Sequence, residues 1–288
     1  MGAMSPAPQA PVCQVPSSDG VTLALHDLGG DGPPVLLCHP TGFLGMTWAP
    51  LAAELADVAH CWALDFRGHG DSTSPASFDF SWSGMGDDVL AVVDALGLTE
   101  VRAAGHSMGG AALAMAEQAR PGTFARLWLY EPIIFPSVEQ LPVRENPLAA
   151  GARRRRPSFA DRDAAYANFA AKPPLNVLAP DALRAYVDHG LRTRPDDGTV
   201  ELKCTPEVEA SVFEGGMAHR TFSRLAEVRC PVTVAMSGET AGPAEVAPLI
   251  AKALPDGRPE RHPDLTHFGP MEDPPGMAAA VRAALALG

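Results

Sequence analysis

Buried strands alternate with amphipathic helices along most of the chain. Continuous apolar runs, such as VLLCH at 35–39 and CWALDF at 61–66, have the pattern of strands that are buried on both faces of a sheet. Stretches with helical spacing, such as GMGDDVLAVVDALGL at 84–98, lie between such runs. The alternation predicts βαβ units and a parallel sheet, and the segments 12–16 and 21–28 before it predict a β-hairpin.

The alternation of strand and helix patterns stops between residues 133 and 225. The interval contains several prolines and helical pieces but no apolar run typical of a buried strand, and the strand pattern returns with PVTVAMSG at 231–238. We therefore expect one α/β core, residues 12–132 and 226–288, with an inserted helical cap, residues 133–225, above the carboxyl edge of the sheet, where such sheets bind ligands. Residues 1–11 are expected to be a disordered tail that starts with a cloning remnant.

Composition and charge exclude several classes of protein. The 288 residues include 34 acidic and 22 basic side chains, for a net charge of −12, which argues against a nucleic-acid partner. No apolar run of about 18 residues is present, so we expect no membrane span. The N-terminus lacks a signal-peptide pattern, and the five cysteines include no CxxC pair, which is typical of reduced core thiols in a cytoplasmic protein. We expect a monomer or homodimer without metal or cofactor, acting on a small-molecule substrate.

The strongest chemical signal is a G-x-S-x-G pattern, Gly105-His106-Ser107-Met108-Gly109, between a predicted strand at 101–106 and a predicted helix at 108–120. A turn this tight from strand to helix requires small flanking residues and holds the serine in a strained conformation with its hydroxyl projecting from the sheet edge. Ser107 is therefore a candidate nucleophile. The Met108 N–H, at the start of the helix, could stabilise a developing oxyanion.

A second oxyanion donor is expected from the loop His39-Pro40-Thr41-Gly42-Phe43, which follows a predicted buried strand. Pro40 has no N–H to donate, so Thr41 is the better donor. Gly42 would allow the backbone to come close to the substrate. His39 ends the buried strand before a proline, which favours a structural role for its side chain.

Four motifs in this order resemble the α/β-hydrolase family: HPTGF at 39–43, DFRGHGDS at 65–72, GHSMGG at 105–110 and HFGPMEDP at 267–274. They span nearly the whole chain outside the cap. The resemblance implies an α/β fold with a mostly parallel, doubly wound sheet of about eight strands. It also implies that a serine attacks an acyl carbon, a histidine accepts its proton and a carboxylate orients the histidine.

The resemblance assigns the base to His267, in the loop after the last strand, but leaves the acid open. The position that usually carries an aspartate after PVTVAMSG is occupied by Ala241, so neighbouring Glu239 is one candidate. Some members, such as the haloalkane dehalogenases, place a glutamate at the end of the preceding strand, and Glu131 in Leu-Tyr-Glu-Pro matches that arrangement. We assign Glu131 and retain Glu239 as the alternative.

The cap and the pocket carry weaker signals. Gly42, Phe43, Phe135 and Phe268 are predicted to line the substrate site. The run 153–156, four arginines, is interpreted as a solvated cap loop, with attraction of an acidic substrate or carrier as the alternative. Together these features predict a serine esterase, lactonase or thioesterase for a mainly apolar small molecule. Hydrolysis of a C–C bond in a β-diketone and a non-catalytic ligand-binding role are the alternatives.

Overall fold

The computed structural model describes residues 13–136, 146–216 and 219–288. The strands are β1 (Cys13–Pro16), β2 (Thr22–Gly29), β3 (Pro34–Cys38), β4 (His60–Asp65), β5 (Val101–His106), β6 (Phe124–Tyr130), β7 (Ser158–Phe159), β8 (Leu191–Thr193), β9 (Val200–Leu202), β10 (Val232–Ser237) and β11 (Gly257–His262). The α-helices are α1 (Ala49–Ala53), α2 (Trp82–Ala95), α3 (Met108–Ala119), α4 (Pro147–Arg153), α5 (Arg162–Ala170), α6 (Pro180–Gly190), α7 (Pro206–Gly215), α8 (Pro243–Ala253), α9 (Gly269–Glu272) and α10 (Pro274–Leu285).

Eight strands form one sheet in the order β1-β2-β4-β3-β5-β6-β10-β11. The predicted hairpin β1–β2 is antiparallel and pairs with β4 at one edge, whereas β4, β3, β5, β6, β10 and β11 are all parallel. The predicted mostly parallel sheet is therefore confirmed. The carboxyl ends of the six parallel strands meet at one edge, which we call the carboxyl edge.

A separate apolar cluster covers each face of the sheet. One contains Val89 of α2, Leu113 of α3 and Ile250 of α8, all fully buried. The other contains Val281 of α10 and continues to Leu183 of α6, between β6 and β10. Each fully buried side chain of this kind contributes about 1.5–3 kcal/mol of hydrophobic stabilisation. The second core therefore joins the sheet to the inserted segment.

The inserted segment between β6 and β10 is not purely helical. Besides α4 to α7, its described part contains a three-stranded sheet in the order β7-β9-β8. These strands have only two or three residues each, too few for an alternating pattern to be recognised in the sequence. We call residues 146–216 the cap. Residues 137–145 and 217–218 of the predicted cap, and the predicted tail 1–11, lie outside the described residues.

The cap is attached to the core by specific polar contacts. Trp82 Nε1 in α2 donates a hydrogen bond of 2.8 Å to the carbonyl oxygen of Val212 in α7. Lys203 Nζ lies 2.6 Å from Asp71 Oδ1 in the loop after β4. These contacts hold the cap over the carboxyl edge. Among the helices that the structure describes, none has both the length and the apolar composition that a membrane span requires.

Candidate active site

Ser107 occupies the turn between β5 and α3 with backbone angles φ 55° and ψ −114°, which a non-glycine residue rarely adopts. The turn leaves no room for side chains at the flanking glycines. A Cβ at Gly109 would lie 2.2 Å from the carbonyl oxygen of Cys38, and one at Gly105 would lie 2.8 Å from the backbone of Gly109. The strain expected for the G-x-S-x-G turn is therefore present at the serine itself.

Backbone hydrogen bonds hold Ser107 against the neighbouring strand. Its N–H donates to the carbonyl oxygen of Tyr130 at 2.9 Å, and its own carbonyl oxygen accepts from the Ile133 N–H at 3.2 Å. The residue is 7% exposed. Because β5 and β6 are paired up to the His106–Tyr130 register, the serine and the residue that follows β6 emerge side by side at the carboxyl edge.

The residue that follows β6 is Glu131, and its carboxylate binds His267. His267 Nδ1 lies 2.6 Å from Glu131 Oε2, and since an ionised carboxylate can only accept, Nδ1 carries the proton. The other oxygen, Oε1, accepts from the Ser237 N–H at 2.8 Å. Burial would raise the pKa of Glu131, but the hydrogen bonds from His267 and Ser237 lower it below its usual value. The carboxylate is therefore charged, and each of its two oxygens accepts a hydrogen bond.

Glu131 is also a backbone outlier, with a φ of 44°. Its N–H donates to the carbonyl oxygen of Ala235 in β10 at 2.8 Å, so the chain is turned sharply between two strands. The alternative acid, Glu239, is exposed, and its N–H donates to Ser237 Oγ at 3.2 Å. The structure thus brings Glu131, rather than Glu239, to the histidine.

The loop that carries His267 is held by side chains that the sequence analysis did not identify. Tyr130 donates its hydroxyl proton to the carbonyl oxygen of Thr266 at 2.7 Å. Glu272 Oε2 accepts from the Thr266 N–H at 3.0 Å and from its hydroxyl at 2.8 Å. Tyr130 and Glu272 lie in motifs quoted above, but their contacts with Thr266 depend on how α9 packs against the end of β6, which the motifs do not predict.

The loop 39–43 lies beside the serine turn. Thr41 Oγ1 donates to Met108 Sδ at 3.4 Å, which joins the two segments. The Gly42 N–H donates to His69 Nε2 at 3.1 Å. Across the residues that the structure describes, no partner is recorded for the N–H of Thr41 or of Met108. These are the two groups predicted to form the oxyanion hole.

Two buried histidines, both neutral, hold the loop 39–43 and the adjoining chain through hydrogen bonds. His69 accepts from Gly42 through Nε2 and donates through Nδ1 to the carbonyl oxygen of Arg67 at 3.0 Å. His39 accepts the Phe66 N–H at Nε2 at 3.0 Å. Burial lowers the pKa of His69 to about 4 and, with the nearby His69 ring, that of His39 to about 3. The ring of His39 therefore serves the loop, as its sequence position suggested.

Aromatic rings connect the loop to the histidine. The ring centroids of Phe43 and Phe268 are 5.9 Å apart, and those of Phe268 and His267 are 5.6 Å apart. The buried ring of His106 lies 4.8 Å from that of His267. Of the four residues predicted to line the substrate site, Phe43 and Phe268 are thus in contact. Phe135, half-buried in the segment after Glu131, has no recorded ring contact in the described chain.

A partly buried polar cluster of the cap contacts the loop at Gly42. We call Arg155, Tyr186 and Glu209 the cap cluster. Arg155 Nη1 donates to Glu209 Oε2, and Arg155 Nη2 donates to the Tyr186 hydroxyl at 2.7 Å. A Cβ at Gly42, where φ is +79°, would lie 2.6 Å from Glu209 Oε1, and the Tyr186 ring lies 5.2 Å from that of Phe43. The cap cluster therefore forms part of the roof of the site.

In the run 153–156, three arginines are exposed, as the interpretation as a solvated cap loop predicts, and Arg155 is the exception. Arg153 is exposed and pairs with Glu207 and Glu214 on the surface. The side chain of Arg155 is 22% exposed and points to the interior of the cap. The four arginines diverge because the chain leaves α4 after Arg153 and turns towards β7.

Comparisons with known proteins agree with this architecture. A family model for the alpha/beta hydrolase fold matches residues 33–274. Protein phosphatase methylesterase 1 of Mus musculus is 38% identical over 95 residues, which cover 31% of this chain and 25% of that protein. N-formylmaleamate deformylase of Pseudomonas putida is 32% identical over 117 residues, or 40% of this chain and 43% of that protein. The chain thus matches less than half the length of each relative.

Among solved structures, E-2-(acetamidomethylene)succinate hydrolase superposes with a TM-score of 0.76 at 20% sequence identity. The superposition covers 95% of this chain and 99% of that one. At this identity the likeness shows a common fold, and the chemistry has to be argued from the residues themselves.

Proposed function

Because the chain belongs to the α/β-hydrolase family, we propose that it is a serine hydrolase that cleaves a carboxylic ester, lactone or thioester of a small molecule. The observation that carries the proposal is the strained Ser107 before α3, next in sequence to His106, whose ring lies 4.8 Å from that of a histidine bound at Nδ1 by a buried carboxylate. Family membership supports hydrolysis, and the names of the two sequence relatives, a methylesterase and a deformylase, are consistent with it.

In the proposed first half-reaction, Ser107 Oγ attacks the carbonyl carbon and His267 Nε2 takes its proton. Glu131 fixes the Nδ1–H tautomer and stabilises the imidazolium that forms. The carbonyl oxygen gains negative charge and is stabilised by the N–H groups of Thr41 and Met108. His267 then gives its proton to the leaving oxygen or sulfur, and an acyl-serine remains.

In the second half-reaction, water attacks the acyl carbon while His267 Nε2 accepts a proton from it. Collapse of the second tetrahedral intermediate releases the carboxylic acid, and the proton returns from His267 to Ser107 Oγ. The neutral state of the surrounding rings supports this cycle. Burial, and then the adjacent His267, hold the pKa of His106 well below its usual value, so that ring does not compete for the proton.

A fluorophosphonate probe tests the nucleophile directly. We expect wild-type protein to be labelled with stoichiometry near one, and Ser107→Ala to lose both the label and the turnover of p-nitrophenyl acetate. The matched control is Ser83→Ala on the exposed face of α2, which should be labelled like wild type. An unlabelled wild-type protein would favour the ligand-binding alternative, and equal labelling of Ser107→Ala would refute the assignment of the nucleophile.

A further inference from the structure

The cap cluster lies next to the reacting groups of the proposed mechanism. Glu209 Oε1 faces Gly42, the residue that follows the proposed oxyanion donor Thr41. Tyr186 packs on Phe43, the next residue of the same loop. The cluster combines three elements of the cap, because Arg155 follows α4 while Tyr186 and Glu209 lie in α6 and α7. A group bound by the cluster would therefore lie within a short distance of the acyl carbon.

Some hydrogen-bond donors of the cap cluster have no acceptor among the described residues and could bind a ligand. A guanidinium has five N–H groups, and Arg155 uses one on Nη1 for Glu209 and one on Nη2 for Tyr186. No further partner of Arg155 is recorded within residues 13–136, 146–216 and 219–288. The Tyr186 hydroxyl accepts from Arg155, so its own proton can be donated. Arg155 Nη2 and the Tyr186 hydroxyl thus offer two adjacent donors, the number that a carboxylate accepts with its two oxygens.

The burial of this ion pair also needs a reason. The side chains of Arg155 and Glu209 are 22% and 8% exposed, and Tyr186, which Arg155 also binds, is 2% exposed. Burial would lower the pKa of Arg155, but neighbouring Tyr186 and Glu209 raise it above its usual value, so the guanidinium is charged. A buried ion pair costs desolvation energy, and well-packed apolar side chains often join elements of a fold equally well or better. Joining the cap elements is therefore a weak explanation for the pair.

We propose that Arg155 and Tyr186 form a subsite for a free carboxylate of the substrate, with Glu209 holding the guanidinium in place. The inference rests on the proposed hydrolase function and narrows its substrates to esters, lactones or thioesters that carry a second, ionised carboxyl group. The second carboxylate would bind in the roof while the acyl carbon meets Ser107. The apolar part of the predicted substrate is then a short chain that joins the reacting acyl carbon to the free carboxylate.

The test is a pair of dissociation constants measured by calorimetry in the Ser107→Ala protein, which cannot turn the ligands over. The ligands are the monomethyl esters of succinate, glutarate and adipate, each compared with the neutral ester in which an amide replaces the free carboxylate. We expect one chain length at which the acid binds about 10–100-fold more tightly than its amide, the range of a charge-assisted hydrogen bond.

The variant that tests the subsite is Arg155→Met/Glu209→Gln, also in Ser107→Ala. The double change removes both charges together, so that no unpaired glutamate is left in the interior to unfold the cap. We expect the ratio of acid to amide affinity to fall to within about threefold of one. The matched control is Arg153→Met, which removes a nearby surface arginine that also pairs with glutamates of α7 and should keep the full ratio.

Three results separate this inference from the proposed function. Equal binding of acid and amide at every chain length, or a ratio unchanged in the double variant, would overturn the subsite even if Ser107 is labelled. A ratio that depends on Arg155 in a protein without hydrolase activity would keep the subsite and refute the hydrolase. Loss of the ratio in Arg153→Met as well would indicate a general surface charge effect and would also overturn the subsite.

Discussion

The carboxyl edge of the core and the cap cluster above it each contain a buried glutamate, but the two are built differently. Glu131 follows a strand directly and binds a histidine that is held by its own loop, so its position is set by the sheet. Glu209 lies in a cap helix and binds an arginine from another cap element. Under the two proposals above, the core supplies the chemistry for any substrate, whereas the cap selects among substrates.

The largest expected effect is that of Glu131→Gln, which tests the core half of this comparison. Loss of the charge and of the correct histidine tautomer should lower kcat about 10³–10⁴-fold, as expected for the acid of a serine triad. The loss should be similar for all esters, because the group acts through His267. Steady-state turnover of p-nitrophenyl acetate measures it.

The control is Glu239→Gln, the exposed alternative, which should keep a near wild-type rate. A large loss confined to Glu239→Gln would show that the acid assignment is wrong. If the loss in Glu131→Gln varied strongly with the charge of the ester, the core would also discriminate among substrates, and the contrast between core and cap would be wrong.

A smaller effect is expected for Gly42→Ala, at the point where core and cap meet. The alanine would be placed at φ +79° with its Cβ 2.6 Å from Glu209 Oε1. The backbone strain alone costs about 1–2 kcal/mol, and the contact should displace the loop of the proposed oxyanion hole. We expect lower stability in urea unfolding and a decrease of kcat/KM by roughly tenfold or more.

Gly122→Ala is the control that separates the effect of backbone strain from that of the contact with Glu209. Gly122 has φ +86°, lies on the surface, and a Cβ there would meet no atom within 4 Å. This variant should lose stability through its backbone alone and keep its activity. If Gly42→Ala behaved in the same way, the contact between Glu209 and the loop would have no role in catalysis.

The smallest effect on activity is expected for the buried neutral histidines of the core, whose signature is the pH dependence of stability. The pKa of His69 is about 4 in the folded protein and near 6.5 in an ordinary histidine, so between these values the unfolded chain binds the extra proton. The free energy of unfolding should therefore decrease as the pH falls from 6.5 towards 4, by up to about 1.4 kcal/mol per pH unit for each such ring.

In His69→Gln, which can still accept from the Gly42 N–H, this pH dependence should become shallower by about one proton over that range. Urea unfolding at several pH values between 4.5 and 7.5 measures the slope. An unchanged slope would mean that His69 is protonated in the folded state, and the loop of the oxyanion hole would then be held in some other way.

The sequence predicted the core more completely than the cap. Strand β5 spans Val101–His106 as predicted, and Glu131 directly follows the end of the next strand, as predicted. Such predictions succeed because parallel strands have a local apolar signature and because their carboxyl ends must meet at one edge. The sequence does not predict the short strands β7, β8 and β9, since segments of two or three residues are too short to show a periodic pattern.

What the sequence by itself determined is therefore the α/β sheet and the candidate nucleophile and base, each of which belongs to a contiguous motif. Only the tertiary structure decided that Glu131 rather than Glu239 reaches His267, and that Arg155 of a four-arginine run turns inward to Glu209. The physical reason is the separation of the interacting residues along the chain. Motifs describe residues that are neighbours along the chain, whereas an ion pair between residues separated by 54 positions depends on how whole helices pack.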